Sequence, residues 1–197
     1  MENKVRKLTP YGFAKWAHVH KAKAPYRPGK PPQYSIDVCF LESDPEWKTW
    51  AGEIMATIKA MPSQTDKKTG AVLPKQIPIK REFDKEENPT GRFYVTFKTG
   101  EKYPPGVFDR FGREIPKSVA VGNESRVQVS YVAVPFSEFG GGLALYLNAV
   151  QVWELVEYGG HSAASHGFKV ESAPVDDTGY AGDNAPPPTD DPWANIP

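Results

Sequence analysis

Residues 125–158, SRVQVSYVAVPFSEFGGGLALYLNAVQVWELVEY, constrain the fold of this chain more than any other stretch. Two runs alternate apolar and polar residues on either side of a glycine cluster. Val127, Val129, Tyr131 and Ala133 share one face of the first run; Leu143, Leu145 and Leu147 share one face of the second. Alternation with period two in valine, tyrosine and leucine marks half-buried strands. Gly140, Gly141 and Gly142 offer the positive φ angles that a tight reversal needs. The stretch therefore predicts a long β-hairpin that closes an antiparallel sheet or a small barrel. After Leu147 the apolar phase slips to Val150 and Val152. A slip of one residue would turn every side chain over, so a bulge is expected near Asn148 or Ala149.

The rest of the chain fits a loop-rich β protein. Its 197 residues include 20 prolines and 17 glycines. Cys39 is the single cysteine, which excludes an intramolecular disulfide and a cysteine-rich zinc site and fits a reducing compartment. No apolar run approaches the length of a membrane span, and the opening MENKVRKL lacks the apolar core of a signal peptide. A cytoplasmic protein without a membrane partner is expected. Charge is unevenly spread. The 24 bases and 24 acids cancel, yet residues 159–197 hold one lysine and six acids, a net of −5. The body before them holds 23 bases and 18 acids, a net of +5. A basic body with an acidic arm suggests a domain that binds a polyanion.

Along the chain, residues 11–21 predict a first strand. Tyr11, Phe13, Ala17 and Val19 fall on one face with Lys15 and Lys21; Gly12, Ala14, Trp16, His18 and His20 fall on the other. A basic, proline-rich loop follows, and residues 34–41 predict a second strand. A helix comes next, started either by Ser43 with Glu46 at capping-box spacing or by Asp44 with Pro45 at the first helical position. Trp47, Trp50, Ala51, Ile54, Met55, Ile58 and Met61 form its apolar stripe, and Pro62 ends it. Residues 63–90 read as a long charged excursion. Residues 92–98 predict a strand with Phe93, Val95 and Phe97 inward and Arg92, Tyr94, Thr96 and Lys98 outward. Beyond residue 159 small residues, acids and prolines dominate, and Ala185-Pro186-Pro187-Pro188 suits neither helix nor sheet. The expected division is a folded domain over 1–165 and a disordered acidic tail over 166–197. That tail ends TDDPWANIP, where Asp190 and Asp191 precede Trp193 and Ile196 in the manner of a docking peptide.

Arg92, Tyr94 and Lys98 on an exposed strand face are the main site candidates. An aromatic flanked by cations suits single-stranded nucleic acid, because bases stack on the ring while cations follow the phosphates. Lys15 and Trp16, the loop cations Lys21, Lys23, Arg27 and Lys30, and Arg126 and Tyr146 of the hairpin extend this set. An ordinary solvated sheet face with a cross-strand tyrosine is the competing reading of each residue alone. Catalytic signals are poor. His18 and His20 sit at i, i+2 without a further ligand cluster, and the phosphate-loop, nucleophile-elbow and zinc-helix motifs are absent. No enzyme, metal or cofactor is expected. A small nuclease and a structural or assembly protein stand as alternatives.

The chain resembles the phage-encoded single-stranded DNA-binding proteins of the OB-fold type, the group related to the T7-like phage replication protein. The resemblance rests on YGFAKWAHV, QYSIDVCFLESDPEW, PPGVFDRFGREI, the hairpin through VQVWELVEYGG, and HGFKV, and it covers most of residues 5–170. The chain departs from that group in ending on Trp193 and Ile196-Pro197 rather than a terminal phenylalanine. The resemblance implies a mainly β protein, a five-stranded Greek-key OB barrel with long loops and one packed α-helix. It implies sequence-independent coating of single-stranded DNA in replication, recombination and repair, with no catalytic residue or cofactor. The acidic tail is similar to the tails of that group; tethered beside a basic groove, it is expected to compete with DNA for the same cations and to dock replication or recombination proteins, on a monomer or homodimer.

Overall fold

The computed structural model describes residues 5–24, 29 and 31–156. Arg27, Lys30 and the acidic tail, with the expected boundary after residue 165, lie outside the described residues. Eight strands and one helix run in the order β1 (Arg6–Leu8), β2 (Gly12–Lys23), β3 (Gln33–Leu41), α1 (Pro45–Ala60), β4 (Ile79–Phe83), β5 (Pro89–Gly100), β6 (Gly106–Asp109), β7 (Arg126–Phe136) and β8 (Gly142–Glu154). The five long strands close a ring. β7 pairs with β2, β2 with β3, β3 with β5, β5 with β8, and β8 returns to β7. Every contact in the ring is antiparallel except β5 with β8, which meet in parallel at Lys98 and Tyr146. That circuit is the Greek-key barrel of an OB fold. The short strands β1, β4 and β6 add to its edges. No described helix is long and apolar enough to cross a membrane.

Closure buries the inward residues that the alternation marks. Ile36, Val38, Phe40, Val95, Phe97, Val127, Val129, Tyr131, Leu143, Leu145, Leu147, Val150 and Val152 form one core. Phe93 is only half-buried, against the edge of that core. The expected bulge is present. Ser130 faces Ala149 while Tyr131 faces Leu147, so Asn148 is the extra residue that restores the apolar phase of β8.

Of the two possible helix caps, Asp44 is the one used. Its carboxylate accepts from the backbone N–H of Glu46 at 2.8 Å and of Trp47 at 3.4 Å, and Pro45 follows at the first turn. Met61 is already extended, as the residue before a proline tends to be. Trp47 stacks on Phe40 with ring centroids 4.6 Å apart and planes 9° from parallel. Trp50 Nε1 donates to the buried Tyr131 hydroxyl at 2.9 Å. Trp47, Trp50, Ile54 and Ile58 thus pack the helix into the barrel core, while Met55 faces outward.

The structure corrects three sequence expectations. In β2 Phe13 and Lys15 do not share a face with Val19: Gly12 and Ala14 point to the core, and Phe13 and Lys15 point outward. Trp16 adopts φ 51° and supplies a bulge, so the phase changes there and Val19 is buried. Residues 63–90 are not one excursion, since 79–83 form β4 along the edge of β5. Gly142 has no positive φ; Phe139 at φ 52°, Gly140 and Gly141 turn the hairpin instead. Gly142 is needed for space, because a Cβ there would stand 2.6 Å from the Gln76 carbonyl oxygen.

Gly140 combines both demands, with φ 94° and a hypothetical Cβ overlapping the Pro74 carbonyl. Gly140→Ala is expected to cost about 1–3 kcal/mol of stability from the backbone strain alone. A urea midpoint unchanged from wild type would show that the hairpin tip does not pack on residues 73–74.

Candidate nucleic-acid interface

Outward residues of adjacent strands line up by register. One row runs Lys80 (β4), Tyr94 (β5), Cys39 (β3), Phe13 (β2) and Arg126 (β7). The next places Lys15 beside Asp37 and Asp37 beside Thr96. A third joins His18, Ser35, Lys98 and Tyr146. Lys23 faces Gln33 farther along, and both Lys21 and Lys23 are exposed. Strand alternation thus gathers Lys15, Arg92, Tyr94, Lys98, Arg126 and Tyr146 on one outer surface, with Lys21 and Lys23 at its end. Along that row β3 and β2 separate Arg126 from Tyr94, and Arg126 lines a separate cleft of about 490 Å³ with Tyr11, Phe13 and Glu154.

The bulge turns Trp16 outward, where it is 56% exposed, and its backbone N–H donates to Asn123 Oδ1 at 2.9 Å. Trp16 then borders a cleft of about 270 Å³ with Lys15, Asp37, Arg81, Glu82, Phe83 and Tyr94. Phe83 is 55% exposed and Tyr146 49%. The Lys80 ammonium lies 5.8 Å from the centre of the Tyr94 ring, within cation–π range. Phe13, Lys80, Arg81 and Phe83 are not among the site candidates read from the sequence. The three on β4 had no period-two signal, since three charged residues separate Ile79 from Phe83, and the hidden bulge at Trp16 concealed Phe13.

Several cations of this surface are mated with carboxylates. Lys15 Nζ bonds Glu82, whose other oxygen accepts from the Thr90 hydroxyl at 2.9 Å. Arg92 bonds both oxygens of Glu124 at 2.9 and 3.0 Å and lies 5.3 Å from the Phe13 ring centre. Arg126 stands 3.8 Å from Glu154 and 5.3 Å from the Tyr11 ring centre. Lys98, Lys80, Lys21 and Lys23 have no carboxylate partner among the described residues. The Glu124 contact, above all the charged hydrogen bond, holds the Arg92 guanidinium above its ordinary pKa. Burial pushes the Cys39 thiol up to about 11, so it stays protonated at neutral pH.

Lys15 and Glu82 stabilise each other's charge. The hydrogen bond to Glu82 raises the Lys15 pKa above 10.5 despite burial. Burial pushes Glu82 up, but Lys15 and Thr90 outweigh it and hold the carboxyl below 4.5. Glu82, with a lowered folded pKa, contributes stability above pH 4.5 that is lost as pH falls through that folded value. Lys15, with a raised one, contributes stability below pH 10.5 that is lost as pH rises through its folded value. The stability difference between wild type and Glu82→Gln is therefore expected to be flat from about pH 5 to 10 and to shrink below pH 4.5. A difference that grows on acidification would contradict the pairing.

No family model and no curated protein sequence matches the chain. Solved structures do. The chain superposes on the crystal structure of gp2.5, the single-stranded DNA-binding protein encoded by bacteriophage T7, with a TM-score of 0.57 at 20% identity, over 88% of this chain and 99% of that one. It superposes on the single-stranded DNA-binding protein of bacteriophage Enc34 in complex with single-stranded DNA with a TM-score of 0.57 at 17% identity, over 79% of this chain and 89% of that one. The Enc34 protein on its own gives a TM-score of 0.54 at 16% identity, over 82% and 89%. Identities this low speak to architecture, and the architecture agrees with the strand circuit: this chain has the OB-barrel fold, with one packed helix, of the single-stranded DNA-binding proteins of phages T7 and Enc34.

Proposed function

We propose that this chain binds single-stranded DNA without strict sequence preference and serves phage DNA replication, recombination and repair. The observation that carries this reading is the outer surface itself. Trp16, Phe83 and Tyr94 offer ring faces on strands that bear Lys21 and Lys23, Lys80, and Lys98, and Tyr146 of β8 faces Lys98. Every base has a face to stack, so such a surface tolerates any sequence while the lysines follow the backbone. The likeness to two phage single-stranded DNA-binding proteins, one of them solved with single-stranded DNA, supports it. The proposed role is binding without chemistry. A gel shift with labelled single-stranded DNA in the presence of magnesium tests both parts. A retarded band of intact DNA is expected. Cleaved DNA would favour a nuclease, and no shift would favour an assembly role.

Residues 171–197 carry six acids and neither lysine nor arginine. We propose that this segment docks other replication proteins through Trp193 and Ile196 and weakens DNA binding by its charge. Deleting it is expected to raise affinity for single-stranded DNA at low salt, with the gain fading as salt screens the charge. Equal affinity of the full and shortened chains at every salt concentration would remove the electrostatic role.

A further inference from the structure

We propose that Asp37 reads the edge of the base that enters the cleft between Trp16, Phe83 and Tyr94, favouring cytosine over thymine. This rests on the reading that the outer surface binds single-stranded DNA, and it adds a base preference to it.

The cleft holds four charged side chains, and three are engaged. Lys15 is bonded to Glu82, Glu82 also accepts from Thr90, and Arg81 is bonded to Glu42 at 3.0 Å while lying 4.7 Å from the Phe93 ring centre. Asp37 differs. It is half-buried on β3 between Lys15 and Thr96, it lines the cleft, and among the described residues its carboxylate has no hydrogen-bond or ion-pair partner. An ionised carboxylate is an acceptor only, with lone pairs on both oxygens. The cleft is therefore a chamber with aromatic walls and one unsatisfied acceptor.

Its volume, about 270 Å³, is below the usual range for small-molecule pockets and suits a single base. A base stacked on these rings presents its edge to Asp37. Cytosine carries an exocyclic amino donor at N4, the group that aspartate and glutamate accept from in base readout. Thymine carries a carbonyl at O4, which would set acceptor against acceptor. Neighbouring phosphates are served by Lys80 and Lys98, one on each side of the Asp37 row, so the carboxylate need not face the backbone.

The test compares two pyrimidines of equal ring size. The full-length protein is titrated with oligo(dC) and oligo(dT) of the same length, as wild type and as Asp37→Asn. The ratio of the two affinities is read, because removing a negative charge strengthens both. Wild type is expected to prefer oligo(dC) by roughly five- to tenfold, the lower part of the range for base discrimination. Asp37→Asn, whose amide both donates and accepts, is expected to bring the ratio near one, and Asp37→Ser to do the same. A ratio that stays at its wild-type value in both folded variants overturns the inference, and so does a wild-type preference for oligo(dT). Failure to bind either oligonucleotide instead overturns the DNA-binding reading itself, and the base preference with it.

Discussion

Phe40→Ala is expected to destabilise the protein by about 3–5 kcal/mol, the usual cost of emptying a buried aromatic site. Phe40 is 1% exposed. It stacks on Trp47 at 4.6 Å and on Trp50 at 5.9 Å, so it joins the inner wall of β3 to both tryptophans of α1. Its removal would leave a void that neither rigid indole can fill. Trp50 is also fixed by its bond to Tyr131, which limits relaxation. Domains of this size are stable by about 5–15 kcal/mol, so the variant is expected to be marginal. The measurement is the shift in urea midpoint at constant slope. Phe93→Ala serves as the comparison, because Phe93 is half-buried and flanked by Arg81. A smaller loss is expected there. Equal losses at the two positions would mean that α1 does not depend on Phe40 as the packing implies.

The second large effect is on binding. Trp16→Ala and Tyr94→Ala are each expected to weaken single-stranded DNA binding by about 1–3 kcal/mol, the value of one base–aromatic stack. Both rings border one cleft, so the double variant is expected to fall short of the sum. Stability is expected to change little for Trp16→Ala, since the ring is exposed and Ala inherits the same bulged backbone. Calorimetric melting alongside the DNA titration separates the two effects. Lost binding together with a lost fold would place these rings in the core rather than on the surface.

Much of this architecture was legible because burial and strand period coincide. Val127 to Tyr131 and Leu143 to Leu147 keep their apolar residues in step, and the slip at Asn148 announced its own bulge. The Trp16 bulge was silent, because apolar and polar residues occur on both sides of it. Phe13, Ala14, Trp16 and Ala17 give no clean period, so one alternation was run through the whole of β2 and put Phe13 and Lys15 on the face of Val19. β4 escaped notice for a different reason. As an edge strand with exposed Lys80 and Arg81 it carries little apolar signal, and it forms because β5 offers an open edge. The candidate surface followed the same division. Tyr94 and Lys98 stand on a strand whose opposite face is apolar, so they could be placed directly. Glu82 and Glu124, the acidic mates of Lys15 and Arg92, come from β4 and a loop, through contacts of long sequence separation that no local pattern encodes.

The most direct test of the account is an equilibrium titration of the full-length protein with a mixed-sequence single strand and its duplex across a range of salt. Single-stranded DNA is expected to bind more tightly than duplex, because only unpaired bases can reach the rings of Trp16, Phe83, Tyr94 and Tyr146. If the unmated lysines Lys21, Lys23, Lys80 and Lys98 make the phosphate contacts, the logarithm of affinity is expected to fall with the logarithm of salt at a slope of about −3. Duplex bound as tightly as the single strand, or single-strand affinity that does not change with salt, would contradict the assignment of this surface.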